Sequence, residues 1–358
     1  MTSSPSFTAL PRHEVVLLVA GTAYSGWTEL SVERGIDAAA GSFSVSLASK
    51  DKTDAARIKV AAGDACQIVL GGAALITGYI DRVSRSLDAD TSMITISGRD
   101  KAADLVDCAA LNSPGSWRNV TLDKIAKELA QPFGVTITLA GDAGKPLSRF
   151  ALQQGETAWA AIERLARYRG LIAFSDGNGG IRVGNPDSGK RSGQIREGEN
   201  MLSGSLELDH SQRFSQYAVK GQASGSDQRH GKAVAQVKGK TSDGAVSRYR
   251  PMLVIGEEQS DAASLTKRAE WEKTVRAGRA EVFSVSVPGW FAGDGSAAGP
   301  VWEIGARATC DVPTLGLSGD RLIERVRFVR DAEAGTRTEL TLVPPGAWAQ
   351  LAEAEPKK

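Results

Sequence analysis

Cysteine is scarce. Cys66, Cys108 and Cys310 are the only three, far apart and odd in number. No disulfide framework and no Cys-x-x-Cys metal knuckle can be built from them within one local unit. They are expected as three buried small hydrophobes in a reducing compartment. Histidine is as sparse: His13, His210 and His230 form no H-x-x-x-H pair and stand near no cysteine at ligand spacing, which argues against zinc. Aromatics make up only 6% of the chain, which leaves few platforms for stacking single-stranded bases. Charge of either sign is not in excess. With 43 Lys+Arg against 42 Asp+Glu the net charge is +1, which excludes a globally basic nucleic-acid binder. No apolar run approaches the roughly 20 residues of a membrane-spanning helix. The first such run, Val15 to Ala20, is too short for a secretory signal, so synthesis in a cytoplasm is expected.

Glycine is plentiful, with 39 in 358 residues, and favours many turns and short strands over long helices. The 41% hydrophobic and 24% charged fractions are those of a globular chain of two or three domains.

The first hundred residues read as strands. Val15 to Ala20 is one, and Trp27, Leu30 and Val32 mark a second. Phe43, Val45 and Leu47 alternate with Ser42, Ser44 and Ser46, which predicts one buried and one wet face. Ala65 to Leu70, Ala74 to Val83 and Ser92 to Ser97 follow, separated by turn signals such as Gly71-Gly72. From about residue 100 the period becomes helical. Leu122, Ile125, Ala126, Leu129 and Phe133 share a face behind Thr121 as N-cap, and a strand follows at Val135 to Leu139. Thr157 caps a second helix with Trp159, Ile162, Leu165 and Ala166 as its stripe and Gly170 as its stop. A hairpin from Leu171 to Val183 turns at Asp176 to Gly180, and Gly184 to Gly198 reads as a boundary. Beyond it, Ser205 to Leu208 and Tyr217 to Val219 are short strands, and Gly221 to Gly231 is a polar, mobile loop. Ser260 to Ala280 is a charged helix with only Leu265, Ala269 and Val275 as its apolar face, suited to a surface or to a partner. The last strands run from Val301 to Leu342.

An internal echo carries more information than any motif. Ile80-Asp81-Arg82-Val83 recurs as Ile323-Glu324-Arg325-Val326. Asp88-Ala89-Asp90 and Asp331-Ala332-Glu333 follow at the same spacing, each leading into an alternating strand, Ile94-Thr95-Ile96 or Leu340-Thr341-Leu342. Cys66 and Cys310 precede the two copies at nearly equal distance. The pattern predicts two copies of one β unit, with an α/β unit and the charged helix between them.

Catalytic signatures are missing. G-x-S-x-G is absent. Gly225 to Lys232 differs from a phosphate loop by one residue in spacing and by Ala233 after the lysine. Asp176-x-Asn178 begins like a calcium loop but lacks its later ligands. Glu197/Glu199 and Glu257/Glu258 are acid pairs in loop-like stretches without an aromatic sugar platform. Lys220, Arg229, Lys232, Lys238 and Lys240 could touch phosphate, but no aromatics interleave them. No residue is nominated as catalytic, cofactor-binding or metal-binding, and no enzyme is expected.

A set of short stretches runs in order along the chain: Trp27-Thr28-Glu29-Leu30-Ser31-Val32-Glu33-Arg34, Gly41-Ser42-Phe43, Gly78-Tyr79-Ile80-Asp81, Gly98-Arg99-Asp100 and Gly155-Glu156-Thr157. Downstream come Tyr217-Ala218-Val219-Lys220-Gly221, Arg248-Tyr249-Arg250-Pro251, Ala269-Glu270-Trp271-Glu272 and Gly289-Trp290. Each piece is weak alone; in this collinear order over nearly its whole length the chain resembles the baseplate hub protein of Mu-like contractile-tailed phages. The resemblance implies an α+β, mainly β fold with two related small antiparallel β-barrels of tail-tube type, a mixed α/β domain and a helix-containing insertion. The expected spans are 1–100 and 197–345 for the barrels, 101–196 for the α/β domain, about 226–296 for the insertion and 346–358 for a tail. It further implies a homotrimeric ring, similar to the hub part of the type VI secretion spike, that joins a six-fold tail tube to a three-fold central spike. Wedge proteins, a tape measure protein and DNA passing unread through the channel are the other implied partners. The implied locations are the virion baseplate and, during assembly, the host cytoplasm. A tail-associated cell-wall hydrolase and a tail-derived bacteriocin component are the alternatives.

Overall fold

A computed structural model describes residues 13–51, 56–222, 237–259, 262–293 and 299–352, with the side chains of 222 and 256–259 excepted. The fold is mainly β with a helical minority, as expected. The N-terminal array comprises β1 (Val15–Val19), β2 (Thr22–Tyr24), β3 (Glu29–Gly35), β4 (Ser42–Ser49), β5 (Ala65–Leu70), β6 (Ala73–Leu87) and β7 (Ser92–Asp100). They hydrogen-bond in the order β3-β4-β7-β6-β5-β1-β2, every pair antiparallel. Alternation places Val32, Phe43, Val45, Ile94 and Ile96 in the core. The opposite face of β4 is not wholly wet, because Ser46 is nearly buried and its hydroxyl lies 3.0 Å from that of Thr95.

The middle segment opens with a helix that periodicity did not reveal, α1 (Ala102–Asp107), only six residues long. Then follow β8 (Ser116–Trp117), α2 (Leu122–Ala130), β9 (Thr136–Ala140), β10 (Phe150–Ala151), α3 (Ala158–Arg167), β11 (Ile172–Ser175) and β12 (Gly180–Gly184). Thr157 accepts the Ala160 N–H at 3.2 Å and Gly170 adopts φ +63°, so α3 starts and stops where its capping signals lie. Thr121 precedes α2 without a side-chain capping bond, and Phe133 falls in a 3₁₀ turn after it. Glu156 accepts from the backbone of Gln153 at 2.9 Å and from Arg164 at 2.9 and 2.7 Å. Burial pushes its carboxyl up, but these bonds outweigh it and hold the carboxyl below its ordinary range. A separate core of Leu122, Ile125, Leu129, Ile162, Leu165 and Ile181 lies between α2, α3 and the β11-β12-β9 sheet.

The C-terminal array comprises β13 (Arg191–Arg196), β14 (Ser203–Leu208), β18 (Glu281–Pro288), β19 (Arg307–Val312), β20 (Leu317–Asp331) and β21 (Gly335–Val343). Two of these lie where the sequence suggested otherwise. β13 sits in the expected boundary; of its side chains only Ile195 is fully buried, and it joins by parallel pairing with β19, a partner over 100 residues away. β18 lies inside the span 226–296 assigned to an insertion, yet it pairs with β14 and β21 in the large sheet. The inserted unit is instead β15 (Gln216–Gln222), β16 (Val237–Ser242), β17 (Pro251–Gln259) and α4 (Ala262–Arg279). Most of the expected loop, from residue 223 onward, lies outside the described residues, as does the stretch likened to a phosphate loop. α4 covers a sheet of its own chain: a Cβ on Gly239 of β16 would stand 2.2 Å from the Leu265 carbonyl carbon. Leu265 and Ala269 pack on Tyr217 and Val219, which accounts for the helix's sparse apolar face without a second molecule.

Candidate functional site

The residues scanned for chemistry stay apart. Among the described residues, no cluster of three His, Cys, Asp or Glu side chains could hold a metal. His13 meets Phe291 edge-on at 6.3 Å, His210 lies 3.3 Å from Arg213, and His230 is outside the described residues. Glu197 accepts from the backbone of Thr314, whereas Glu199 pairs with Arg196. The side chains of Glu257 and Glu258 are not described. Asp176 caps its own hairpin, accepting from Asn178 at 2.7 Å and Gly180 at 2.9 Å. Lys220, Lys238 and Lys240 lie on β15 and β16, with Arg229 and Lys232 outside the described residues. Cys66 and Cys310 are buried, but Cys108, expected inside, is exposed where α1 ends. Burial pushes the Cys66 thiol up to about 12 and the Cys310 thiol up to about 11, so neither is a nucleophile at neutral pH.

The arrangement with evident organisation is the sheet itself. Ile80, Gly98, Phe43 and Val32 stand in one row across β6, β7, β4 and β3. Ile323, Leu342, Phe283 and Leu206 form the same row across β20, β21, β18 and β14. The ladder slips between Ile80 and Arg82 in one copy and between Ile323 and Arg325 in the other, a β-bulge at the same point of the echo. Gly63 donates to Ile80 and Gly305 to Ile323, at 2.7 and 2.9 Å. The acidic turns also match: Asp88 accepts from Asp90 and Thr91, and Asp331 accepts from Glu333 and Ala334. The cysteines do not correspond, since Cys66 faces Gly78 while Cys310 faces Gly319, two positions further from the bulge. A clearer signal was present in the sequence. Phe43-Ser44-Val45-Ser46 recurs as Phe283-Ser284-Val285-Ser286, on corresponding strands. The arrays differ at their far edge, where β1 runs antiparallel to β5 but β13 runs parallel to β19.

Among the described residues, one strand contact joins the arrays. Arg325 to Arg330 of β20 pair antiparallel with Gly35 to Leu30 of β3. Arg325 forms an ion pair with Glu33 at 2.7 Å and another with Asp37, and Arg327 donates to Ser31 at 2.9 Å. The Ile36 N–H donates to the carbonyl of the bulged Glu324 at 2.9 Å. Glu33, Arg325 and Arg327 border a groove of about 540 Å³ on the polar face of the sheet, with Ser205, Ser284 and Glu339.

A second tie holds the middle segment. Asp100, 1% exposed, accepts from the backbone of Gly41 at 2.7 Å, from Ala102 at 2.9 Å and from the Ser175 hydroxyl. Burial raises its pKa against the pull of those donors. Arg34 donates to the Asp176 carbonyl, and the Thr77 N–H donates to Gly177 at 2.8 Å. The N-terminal array and the middle segment are thus locked together by Asp100 at the end of β7 and by Arg34 of β3, the strand that also pairs with β20.

Family descriptions match the chain piece by piece. Residues 14–100 match the Mu phage baseplate assembly protein GpP-like N-terminal domain, and 102–185 the baseplate hub protein gp44-like second domain. Residues 213–271 match the tail protein NMB1110-like third domain, and 261–351 the Mu phage GpP fourth domain. The chain is 32% identical over 338 residues to the baseplate hub protein gp44 of Escherichia phage Mu, covering 92% of this chain and 87% of that protein. The crystal structure of the prophage MuSo2 43 kDa tail protein from Shewanella oneidensis is 31% identical, with a TM-score of 0.81 over 94% of this chain and 100% of that one. A tail protein from Neisseria meningitidis MC58 shares the fold at 24% identity, with a TM-score of 0.75 over 94% and 97% of the two chains.

Proposed function

The chain belongs to the family of the phage Mu baseplate hub protein gp44, and from that membership we propose a purely structural role in a contractile-tail baseplate. Three copies form a closed ring, each chain contributing two barrel-like units, so that six similar units face a six-fold tail tube. The units are residues 1–100 and 197–345, the second extended at its start by β13 (Arg191–Arg196), with the stretch from 101 up to β13 as the α/β domain and 346–358 as a tail. The observation that carries this reading is the matched pair of strand arrays, down to the shared bulge and acidic turn. The α/β unit and the β15-β16-β17 sheet under α4 occur once per chain. A face built from them is three-fold and suits a central spike. Closed cyclic symmetry satisfies like surfaces on identical chains. The role needs no bond-making step, cofactor or metal; the work is geometric adaptation spread over large interfaces.

The polar sheet face, with Glu33, Arg325, Arg327 and Glu339 paired among themselves, suits the wall of a central opening. Tape measure protein or DNA would pass such a wall without being read. Wedge proteins are the remaining neighbours, and the place of work is the virion tail after assembly in the host cytoplasm. Light scattering on the purified full chain, alone and with tube protein, tests the reading. A trimer that caps tube ends is expected. A monomer or dimer that binds neither tube nor spike at high concentration would overturn it, and clearing of peptidoglycan in a zymogram would overturn the absence of catalysis.

A further inference from the structure

The in-chain joint between the arrays has two halves, and the repeat supplies a second copy of each. The distal part of β20 corresponds to the distal part of β6, and β3 corresponds to β14. Among the described residues, β6 beyond Tyr79 pairs with no strand but β7, and β14 with no strand but β18. Among the described residues two backbone edges are therefore unpaired, each the repeat of an edge already joined inside the chain.

We infer that β14 of one copy pairs antiparallel with the distal half of β6 of a second copy of this chain, in the register that β3 and β20 display. The inference rests on the ring reading above and names the contact that closes the ring. Carrying the correspondence across sets Val83 opposite Leu208, Ser84 opposite Glu207, Ser86 opposite Ser205 and Leu87 opposite Gly204. Side chains support this register on both faces. On the core side, Leu87 is 68% and Leu208 63% exposed in the single chain, although both continue the face that buries Ile94, Ile96 and Phe283. Paired edges would cover Leu208 with Val83 and set Leu87 against Gly204, where the Phe283 ring and Met201 side chain lie. On the polar side, Arg82 takes the place of Arg325 and Glu207 that of Glu33, the two residues joined at 2.7 Å in the chain. Arg82 and Glu207 are both exposed. The contact uses different surfaces on its two sides, so it passes from copy to copy and closes as a ring instead of completing itself in a two-fold dimer.

The test is a disulfide across the inferred register. Opposed residues of antiparallel strands have Cα atoms about 4.5–5.5 Å apart, within disulfide reach. In full-length protein carrying Cys108→Ser, the pair Ser84→Cys and Glu207→Cys should oxidise to a covalent trimer on a non-reducing gel. Either cysteine alone should leave monomers. As a second measurement, Arg82→Glu should weaken trimer formation at least tenfold, and adding Glu207→Arg should restore it. A light-scattering trimer that neither cross-links nor responds to Arg82→Glu would overturn this contact and leave the ring reading standing. An unmodified chain that stays monomeric at all concentrations would overturn both.

Discussion

Arg325 and Glu33, 292 positions apart in sequence, meet at 2.7 Å and close the seam between the two strand arrays. Both side chains are partly exposed, so solvent weakens their attraction, and Arg325→Ala should cost about 1 kcal/mol or less. Arg325→Glu should cost more, because it sets three carboxylates together with Glu33 and Asp37. Urea midpoints at one fixed protein concentration measure both. Equal midpoints for the wild type and Arg325→Glu would show that the backbone ladder alone holds the seam.

Gly78 tolerates no side chain. A Cβ there would stand 1.9 Å from the Arg99 carbonyl oxygen and 2.5 Å from the Asp100 Cα, both backbone atoms of the neighbouring strand. Gly78→Ala should destabilise by about 1–3 kcal/mol or more, as other overpacked sites do. Gly244 has open space around its Cβ position and serves as the control: Gly244→Ala should shift stability by no more than about 0.5 kcal/mol. Thermal melts of the two variants compare them, and similar melting temperatures would contradict the steric account.

Asp100 collects three donors from three segments, Gly41, Ala102 and Ser175. Asp100→Ala leaves all three without their acceptor in a buried site, at about 1–3 kcal/mol for each donor that water does not reach. The loss should exceed that of Ser175→Ala, which removes one of these bonds and the one Ser175 accepts from the Gly177 N–H at 2.9 Å. Denaturation of the two single variants orders them. The reverse order would mean that the burial cost of the carboxylate outweighs its bonds.

Glu324 gives a prediction in pH. Burial, reinforced by the nearby Asp37 charge, raises its carboxyl above the ordinary range despite the Trp348 indole donating to it at 2.9 Å. A folded state that binds a proton more tightly than the unfolded state is favoured at low pH. This contribution is therefore complete below the ordinary carboxylate value of about 4.3 and is lost as pH rises through the higher folded value. Glu324→Gln keeps an acceptor for Trp348 and removes the charge, so it should raise stability at neutral pH and flatten the slope above pH 4. Urea midpoints from pH 4 to 8 would reveal an unchanged slope if the account were wrong.

Periodicity and capping revealed what is local. The row from Phe43 to Leu47, helices α2 and α3 of the middle segment with Thr157 and Gly170 at the ends of α3, and the hairpin closed by Asp176 all follow from neighbours in sequence. The echo at Ile80 and Ile323 was legible because a bulged strand and an Asp-capped turn need particular residues at fixed spacing. What escaped depends on distant partners. β13 has one fully buried side chain and takes its strand form from β19. β16, with Lys238-Gly239-Lys240 at its middle, is made a strand by β15 and by α4 lying against Gly239. The seam was not legible either: Arg325 looked like one half of an echo, and nothing near it in sequence identifies Glu33.

The covalent link between the arrays has a bearing on errors of assembly. Free units that join head to tail can close with one too many or one too few, since a small change of angle at every joint absorbs the difference. Here units arrive already coupled in twos through β20 and β3. In the ring proposed above, odd numbers of units are thereby removed from the alternatives, and the nearest miscounted ring would differ by a whole chain. Such a ring would have to distort every joint about twice as far, including the in-chain one. For the proposed ring the covalent link between the arrays would serve as a counting device set by the polypeptide itself.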